Sequence, residues 1–326
     1  MPITIRGRVG YPFHVANELE LVAPRGYCAG VDRAIETVER VLVELGAPIY
    51  VRGEIVHNTH VVSSLAAKGA VFVASESDVP HGETIVLSAH GVSPEVRRVC
   101  EERGLRVIDA TCPLVSKVHA QVRRFASKGA TVFLVGHGEH DEVIGTRGEA
   151  PEAVVLIETV ADAESVEVPD PDNVALTTQT TLSVDDTTEI VDVLKRRFPA
   201  LLGPKSSDIC YATQNRQDAV REAVTSGADL VLVVGSRNSS NSNRMVEVAQ
   251  DRGAESHLID NVTELDPAWL EGKTRVALTA GASAPELLVQ QVAQAIAEAG
   301  YSRGGEEIPS AEGVFFALPR EASAPG

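Results

Sequence analysis

Short apolar runs and segments of helical periodicity alternate along the chain. Runs such as TVFLVG and DLVLVVG have the length and composition of buried strands, whereas AGVDRAIETVERVLVELG places apolar residues every three or four positions. Strands that alternate with helices in this way are typical of parallel sheets covered by helices. We therefore expect an α/β protein.

One strand–helix junction occurs three times, and a cysteine stands at it each time. The runs LELVAPRGYC, LRVIDATC and SSDIC end at Cys28, Cys112 and Cys210, and each precedes an amphipathic segment. Every one of these segments ends at a Gly-Ala pair 17 or 18 residues after its cysteine. A glycine there is the expected end of a helix before a new strand.

Polar loops follow the cysteines at matching distances. A first loop lies 28 or 29 residues after each cysteine and a second lies 62 to 73 residues after it, both at the ends of predicted strands. The polar residues there are His57, His140 and Ser239 in the first loops and His90, Thr180 and Ser283 in the second. Ligands of open parallel sheets bind at the carboxyl ends of the strands, so these positions are expected to meet at one site.

The repeat predicts three α/β units of roughly 90 residues, related by pseudo-threefold symmetry around a central site, each with a small, mostly parallel sheet. The strand before Cys112 can complete the sheet of the first unit. By the same reasoning, the strand before Cys28 has only the last unit to join. The expected divisions are an N-terminal extension 1–18, unit 1 at 28–112, unit 2 at 113–207, unit 3 at 208–300 with strand 19–27, and a C-terminal tail 301–326.

Composition narrows the possible functions. Hydrophobic residues make up 44% of the chain and charged residues 23%, and no apolar run approaches the ~18 residues of a membrane helix. A net charge of −17 with 4% aromatic residues disfavours nucleic acid and anionic membranes as partners. The N-terminal segment lacks the apolar core of a signal peptide, and four cysteines are too few for a disulfide framework. We therefore expect a cytoplasmic protein whose cysteines are free thiols or metal ligands.

Three convergent cysteines suit a metal centre better than a nucleophile, which needs one cysteine and one base. Zinc is one possibility, although structural zinc sites usually draw on closely spaced cysteine pairs, which this chain lacks. A [4Fe-4S] cluster usually takes four cysteines, so a cluster held by three has an open iron that can bind a substrate oxygen while the cluster passes electrons. Cys100 lies within a predicted helix, has no counterpart in the other repeats and is expected to be a core or surface thiol.

The residues around the three cysteines suggest a phosphorylated substrate. Histidines and the GSRNSSNSNR loop supply short hydrogen-bond donors, and several precede helices, whose N-terminal amides favour anions. Glu142 follows His140, close to the hydroxyls of Thr180 and Thr181, and could deliver protons to a bound intermediate. An acid at that position could equally begin the next helix and compensate its dipole. The histidines without a repeat-related partner are expected to be surface or structural: His14, His60, His81, His119, His137 and His257.

Nine motifs resemble those of the IspH/LytB family in order and spacing. They include APRGYCAGVDRAI, LSAHGVS, DATCPLVSKVH, GHGEHDEVIGT, TQTTLSVDDT, DICYATQNRQ and TAGASAPELLVQ, and they run from about residue 20 to about residue 300, with FFALP in the tail. The resemblance implies an iron–sulfur oxidoreductase that converts 4-hydroxy-3-methylbut-2-enyl diphosphate into isopentenyl and dimethylallyl diphosphate by reductive dehydroxylation. This is the last step of the non-mevalonate pathway of isoprene biosynthesis.

The resemblance also implies a role for each candidate residue. Cys28, Cys112 and Cys210 would hold one [4Fe-4S] cluster whose open, apical iron binds the substrate oxygen, and Glu142 would donate protons. The substrate-binding residues would be His57, His90, His140, Thr180, Ser239, Ser240, Asn241 and Ser283. An electron donor such as a ferredoxin or a flavodoxin is implied, and the basic residues that could form its docking patch are Arg25, Arg33, Lys117, Arg123 and Arg124.

Two other functions remain open at this point. A quinolinate-synthase-like [4Fe-4S] dehydratase or condensing enzyme also places three cysteines among three α/β units, but its small carboxylate substrates would call for arginine contacts. A non-catalytic iron–sulfur redox or oxygen sensor would need a DNA-binding or partner module. Neither the acidic charge nor the three repeats leaves room for one.

Overall fold

The structure is a computed structural model that describes residues 17–204, 207–305 and 312–322. The first stretch of the chain forms β1 (Glu18–Leu21), α1 (Ala29–Leu45), β2 (Ile49–Arg52), α2 (Thr59–Ala67), β3 (Ala70–Val73), β4 (Thr84–Leu87), α3 (Pro94–Glu102) and β5 (Arg106–Asp109). The middle stretch forms α4 (Pro113–Ala126), β6 (Thr131–Val135), α5 (Asp141–Arg147), β7 (Val154–Ile157), α6 (Val160–Ser165), β8 (Val174–Thr178) and α7 (Val184–Arg197). The last stretch forms α8 (Tyr211–Thr225), β9 (Leu230–Val234), α9 (Ser240–Asp251), β10 (Glu255–Ile259), β11 (Arg275–Ala280), α10 (Glu286–Glu298) and β12 (Ser302–Gly305).

These strands form three separate sheets, in which neighbouring strands are parallel. The strand order is β3-β2-β4-β5 in the first sheet, β7-β6-β8 in the second and β10-β9-β11-β1-β12 in the third. Each sheet carries one apolar cluster on either face, because parallel strands are joined through helices that cover both sides. The predicted class, α/β with three small parallel sheets, is confirmed.

Local sequence explains where the three cysteine-led helices begin and end. Cys28, Cys112 and Cys210 are the N-cap residues of α1, α4 and α8. The glycines of the three Gly-Ala pairs have φ angles of 79°, 75° and 102°, a left-handed conformation that favours glycine. Each of these helices therefore starts at a cysteine and stops where the chain must turn into the next strand.

The first strand lies in the third sheet. β1 runs parallel to β11 and β12, with Leu19 opposite Val276 on one side and Arg303 on the other. Leu19 and Leu21 are buried in the core that this sheet shares with α10. The start of the described chain thus pairs with its last unit, which is the pairing expected from the repeat.

The observed third sheet extends past two predicted boundaries. β1 begins at Glu18, inside the predicted extension 1–18, and β12 lies inside the predicted tail 301–326. The run SRGG gives no strand signal, but Tyr301 before it packs into the core and donates its hydroxyl to two backbone carbonyls. The parts of these two segments that lie outside the described residues are 1–16, 306–311 and 323–326. The division into three units at the predicted residue numbers stays a prediction.

None of the helices in the described ranges is both long and apolar enough to cross a membrane.

Replacing Leu19 by alanine tests the place of β1 in the third sheet. Leu19 is fully buried, so the change should lower the free energy of unfolding by about 2–5 kcal/mol. Leu287 is 58% exposed on α10, and Leu287→Ala should change the same quantity by less than about 0.5 kcal/mol. Urea denaturation followed by circular dichroism measures both, and equal effects of the two changes would contradict the packing described here.

Candidate active site

One cavity contains every candidate site residue from the sequence. The volume of this cavity is about 110 Å³. The candidates that line it are Cys28, His57, His90, Cys112, His140, Glu142, Thr180, Cys210, Ser239, Ser240, Asn241 and Ser283. Residues from all three units contribute, so the cavity lies where the units meet. The roles of these residues stay predictions.

The three cysteines occupy equivalent positions in the cavity wall. Each is the N-cap residue of a helix, so the first backbone amides of that helix can reach its sulfur. The amides that bond to the sulfurs are those of Gly30 and Val31 for Cys28, Leu114 and Val115 for Cys112, and Thr213 for Cys210. The Thr213 hydroxyl also lies 3.1 Å from Cys210 Sγ. These contacts favour sulfur atoms that carry negative charge.

Burial opposes that charge when the thiols are alone. Desolvation raises the pKa of Cys112 to about 12 and that of Cys210 to about 11, and it also raises the pKa of Cys28. The neighbouring thiols add to the shift at Cys112 and Cys210 because like charges repel. A reactive nucleophile needs the opposite, a lowered pKa. Three buried thiolates therefore need a positive group between them, which fits a metal centre.

The spacing of the sulfurs fits a group larger than one ion. Within the described residues, three potential metal ligands come within 4.8 Å of one another only at His57, His90 and Asp141. The three cysteine sulfurs therefore do not all lie within 4.8 Å of one another, whereas two thiolates on one tetrahedral zinc ion are about 3.8 Å apart. Gly30 keeps this space open, since a Cβ there would lie 2.7 Å from Cys112 Sγ. An iron–sulfur cluster is a group of the required chemistry and size.

Three histidines form the opposite wall. The His57 and His90 rings stack with centroids 3.9 Å apart and planes 26° apart, and the His140 ring meets both edge-on. Asp141 Oδ2 lies 3.4 Å from His57 Nε2 and 4.0 Å from His90 Nδ1. The lone pairs of stacked rings run nearly parallel in their own planes, so one cation cannot be coordinated by both. This cluster is therefore a set of hydrogen-bonding groups and not a second metal site.

Two of these imidazoles are neutral. Burial lowers the pKa of His140 to about 4 and that of His90 well below its usual value, and the neighbouring imidazoles add to both shifts. His140 Nδ1 accepts a hydrogen bond from the Glu142 amide, so its proton lies on Nε2. Asp141 stays ionised, since the His57 hydrogen bond lowers its pKa to about 2.

The GSRNSSNSNR loop adds short donors at the start of α9. Ser239 is the N-cap residue, and its Oγ accepts from the Ser242 amide. Asn241 Oδ1 accepts from the Ala282 amide at 2.9 Å, while its Nδ2 is buried and has no protein partner within the described residues. Ser283 Oγ donates to the His57 carbonyl at 2.9 Å. No arginine or lysine of the described residues lines the cavity, so an anion here would be held by neutral donors and helix N-termini.

Glu142 is the buried acid of the site. Its side chain is 2% exposed, and its two oxygens accept hydrogen bonds from the Thr180 amide at 2.7 Å and the Thr180 hydroxyl at 2.9 Å. Burial raises its pKa to about 7 and outweighs these two bonds. Its carboxyl group bonds to a loop of another strand and not to the amides of its own helix, which favours proton transfer over dipole compensation as its role.

Several lining residues were not singled out from the sequence. Val31, Val115 and Thr213 each stand three residues after a cysteine, so an extension of the repeat could have found them. Phe316 has no such signal in the repeat, because it comes from the tail. Asp141 does not line the cavity but contacts the lining residue His57, which is distant in sequence. Among the histidines without a repeat partner, His14 lies outside the described residues, and the other five do not line the cavity.

Cys100 and Arg25 also have defined places. Cys100 is fully buried in the first unit and does not line the cavity, as expected of a core thiol. The prediction that Arg25 belongs to a surface docking patch is wrong. Its side chain is buried, and its guanidinium lies 2.9 Å from the Glu286 carboxylate. Lys117 and Arg123 are partly exposed, 40% and 54% of their side chains, and they form ion pairs with Asp208 and Glu149.

The family model described as LytB protein matches residues 19–297. The chain is 55% identical over 307 residues to a 4-hydroxy-3-methylbut-2-enyl diphosphate reductase of Azoarcus sp. (strain BH72), a match that covers 94% of this chain and 97% of that protein. It is 57% identical over 302 residues to the protein of that name from Mycolicibacterium paratuberculosis (strain ATCC BAA-968 / K-10), covering 92% of this chain and 91% of that protein.

Two solved structures are similar to this fold. One is the E-1-hydroxy-2-methyl-but-2-enyl-4-diphosphate reductase from Plasmodium falciparum, with a TM-score of 0.90, 40% identity and coverage of 94% of this chain and 97% of that chain. The other is an (E)-4-hydroxy-3-methyl-but-2-enyl diphosphate reductase described as the terminal enzyme of the non-mevalonate pathway. It has a TM-score of 0.61 and 31% identity, and the match covers 86% of this chain and 99% of that chain.

Titration of Glu142 tests the buried acid. A pKa of about 7 predicts an infrared band of a protonated carboxyl that disappears with a midpoint near pH 7 and that Glu142→Gln lacks. Because the folded chain holds this proton more tightly than the unfolded chain, the group makes stability fall as the pH rises from about 4.5 to about 7. The variant should lack that fall in chemical denaturation. A band with the ordinary midpoint near 4.5 would contradict the assignment.

Proposed function

The chain belongs to the LytB protein family, and we propose that it reduces 4-hydroxy-3-methylbut-2-enyl diphosphate with the cavity described above as its active site. The reaction consumes the allylic diphosphate, two electrons and two protons, and it yields water together with isopentenyl or dimethylallyl diphosphate. The observation that carries the proposal is that one cavity joins a cysteine trio, a wall of neutral anion donors and a buried acid. Each of these supplies one requirement of the reaction.

Cys28, Cys112 and Cys210 would hold one [4Fe-4S] cluster. When bound, such a cluster supplies the electrons and one Lewis-acidic iron that lacks a protein thiolate. The helix amides at the three sulfurs stabilise the thiolate charge, and the open space beside Gly30 lets Cys112 approach the centre. The donor set therefore matches the group in chemistry and in size.

The histidines and the α9 loop would bind the diphosphate. Asn241 Nδ2 is a buried donor that no protein acceptor takes up within the described residues, and His140 Nε2 carries the proton of its ring. The N-terminus of α9 adds amides and a favourable dipole. A diphosphate placed beside neutral His90 and His140 raises their pKa values, because an anion favours the charged imidazole. Substrate binding should therefore be accompanied by proton uptake near neutral pH.

Glu142 would transfer a proton to the leaving hydroxyl group. With its pKa raised to about 7, it can hold a proton near neutral pH and can be reloaded between turnovers. Thr180 fixes both of its oxygens and, through the same two hydrogen bonds, stabilises the carboxylate that remains after the proton has left. A second proton and the electrons must enter from outside, the latter from a protein such as a ferredoxin or a flavodoxin.

The cavity argues against the other functions considered. Small dicarboxylate substrates are usually held by arginine, and no arginine of the described residues lines the cavity. In the described ranges, all three sheets surround this one site, and none of them forms a separate module of the kind that a sensor needs.

Cysteine variants test the ligand set. Cys28→Ala, Cys112→Ala and Cys210→Ala should each lose most of the iron bound after anaerobic purification, because a cluster with two thiolates is weakly held. Cys100→Ala is the matched control and should keep the wild-type iron content, since Cys100 is a core residue outside the cavity. Iron and sulfide analysis gives the result. Loss of iron in the control variant would mean that a different trio binds the metal.

Glu142→Gln tests the proton donor. The amide keeps the size of the side chain but has no acidic proton, so turnover should fall about 10²–10⁴-fold while iron content is retained. Glu139→Gln, in the same loop but exposed and outside the cavity, should leave turnover unchanged. The assay is reduction of the allylic diphosphate by a chemically reduced donor. Near-normal turnover of Glu142→Gln would rule out the assigned role.

A further inference from the structure

Residues 312–322, here called the C-terminal strap, cross from the third unit to the first beside the cysteine helices. The strap has little regular structure and ends in a short 3₁₀ helix at Arg320–Ala322. It contacts α8 at one end and α1 and β5 at the other. Ala322 is buried in the core of the first unit. The strap therefore joins two units at the end of the cavity where the cysteines lie.

Arg216 is its first anchor. The guanidinium is buried and bonds to Glu312 Oε2 at 3.0 Å, while Asn215 donates to the other carboxylate oxygen at 2.9 Å. The same guanidinium donates to the carbonyls of Gly26 at 2.7 Å and Ala212 at 2.9 Å. Those carbonyls lie two residues before one cysteine and two residues after another. The buried Arg216 guanidinium thus contacts both the strap and two of the cysteine loops.

Arg33 is its second anchor and touches the third cysteine loop. Its Nε donates to the Ala317 carbonyl at 2.8 Å. Its two terminal nitrogens donate to the carbonyls of Thr111 at 3.0 Å and Asp109 at 3.3 Å, just before Cys112. The strap is therefore fixed on both sides of its Phe315-Phe316 pair by arginines that also hold the backbone next to the cysteines.

Phe316 separates the site from an outer groove. This groove has a volume of about 470 Å³ and is lined mainly by residues of α1 and α2 together with Val314, Phe315 and Phe316. Within the described residues, Phe316 is the only one that lines both the groove and the cysteine cavity. Its neighbour Phe315 is 83% exposed and lines the groove alone. The Phe316 side chain therefore borders both spaces.

We propose that the C-terminal strap seals the cysteine end of the active site, with Phe316 as the plug and with Arg216 and Arg33 as the positioning residues that hold it. The seal keeps dioxygen and other small solutes in the outer groove away from the iron. This inference rests on the proposed function, because the group that it protects is the cluster. It gives the tail a purpose that the repeat does not predict, since the tail has no counterpart in the other units.

Iron release to a ferrous chelator tests the seal. In anaerobically purified protein, Phe316→Ala should release iron at least about fivefold faster than wild type, because the passage to the groove is open. Phe315→Ala removes the same atoms from the adjacent, exposed position and should stay within about twofold of wild type. Phe316→Leu, which keeps an apolar plug, should restore most of the protection. Glu312→Gln loosens the first anchor without altering Phe316 and should also speed release.

The outcomes separate the seal from the function. Melting temperatures are measured beside the release rates to show whether faster iron release comes from general instability. If it does, Phe316→Leu would fail to restore the slow release of the wild type. Equal release from Phe316→Ala and Phe315→Ala would overturn the seal and leave the proposed function intact. Wild-type protein that binds no iron under anaerobic conditions would overturn the proposed function, and the seal with it.

Discussion

The sulfurs of Cys28, Cys112 and Cys210 are buried together although burial raises the pKa of each thiol. The negative charge of three thiolates is balanced only if helix amides and a positive group meet at the same place. Each of the three cysteines comes from a helix on a different sheet. The three sheets cannot then be placed independently of one another. The pairing of β1 in the third sheet and the contacts of the C-terminal strap hold units together that the repeat alone would leave separate.

A chain with a net charge of −17 forms the proposed anion site without lysine or arginine in the described wall. Neutral imidazoles, the Asn241 amide and the N-terminus of α9 supply the donors, and they favour an anion without adding a basic patch at the surface. In the same cavity, burial raises the pKa of Glu142 to about 7 and outweighs the two hydrogen bonds from Thr180.

The repeat predicted which residues come together at one cavity, because they lie at strand ends with nearly equal offsets. For this reason, the sequence alone could place three of these residues together, namely His57, His140 and Ser239. Features that depend on contacts between distant segments carry no such periodicity. The sequence suggests that Arg25 is a surface cation, and only the structure shows its bond to Glu286. The FFALP motif marks the tail, but only the structure shows that Phe316 lies beside the cysteines. The strand β12 likewise follows from the packing of Tyr301 and not from its own residues.

Mössbauer spectroscopy of the anaerobically purified, iron-labelled protein tests the central claim most directly. A [4Fe-4S] cluster held by three cysteines predicts about four irons per chain, of which one differs from the others and changes its spectrum when the allylic diphosphate is added. The other three irons should keep their signals, because their thiolate ligands do not change. A cluster whose spectrum is the same with and without the allylic diphosphate would contradict the account, and so would a chain that binds a single zinc ion at the three cysteines.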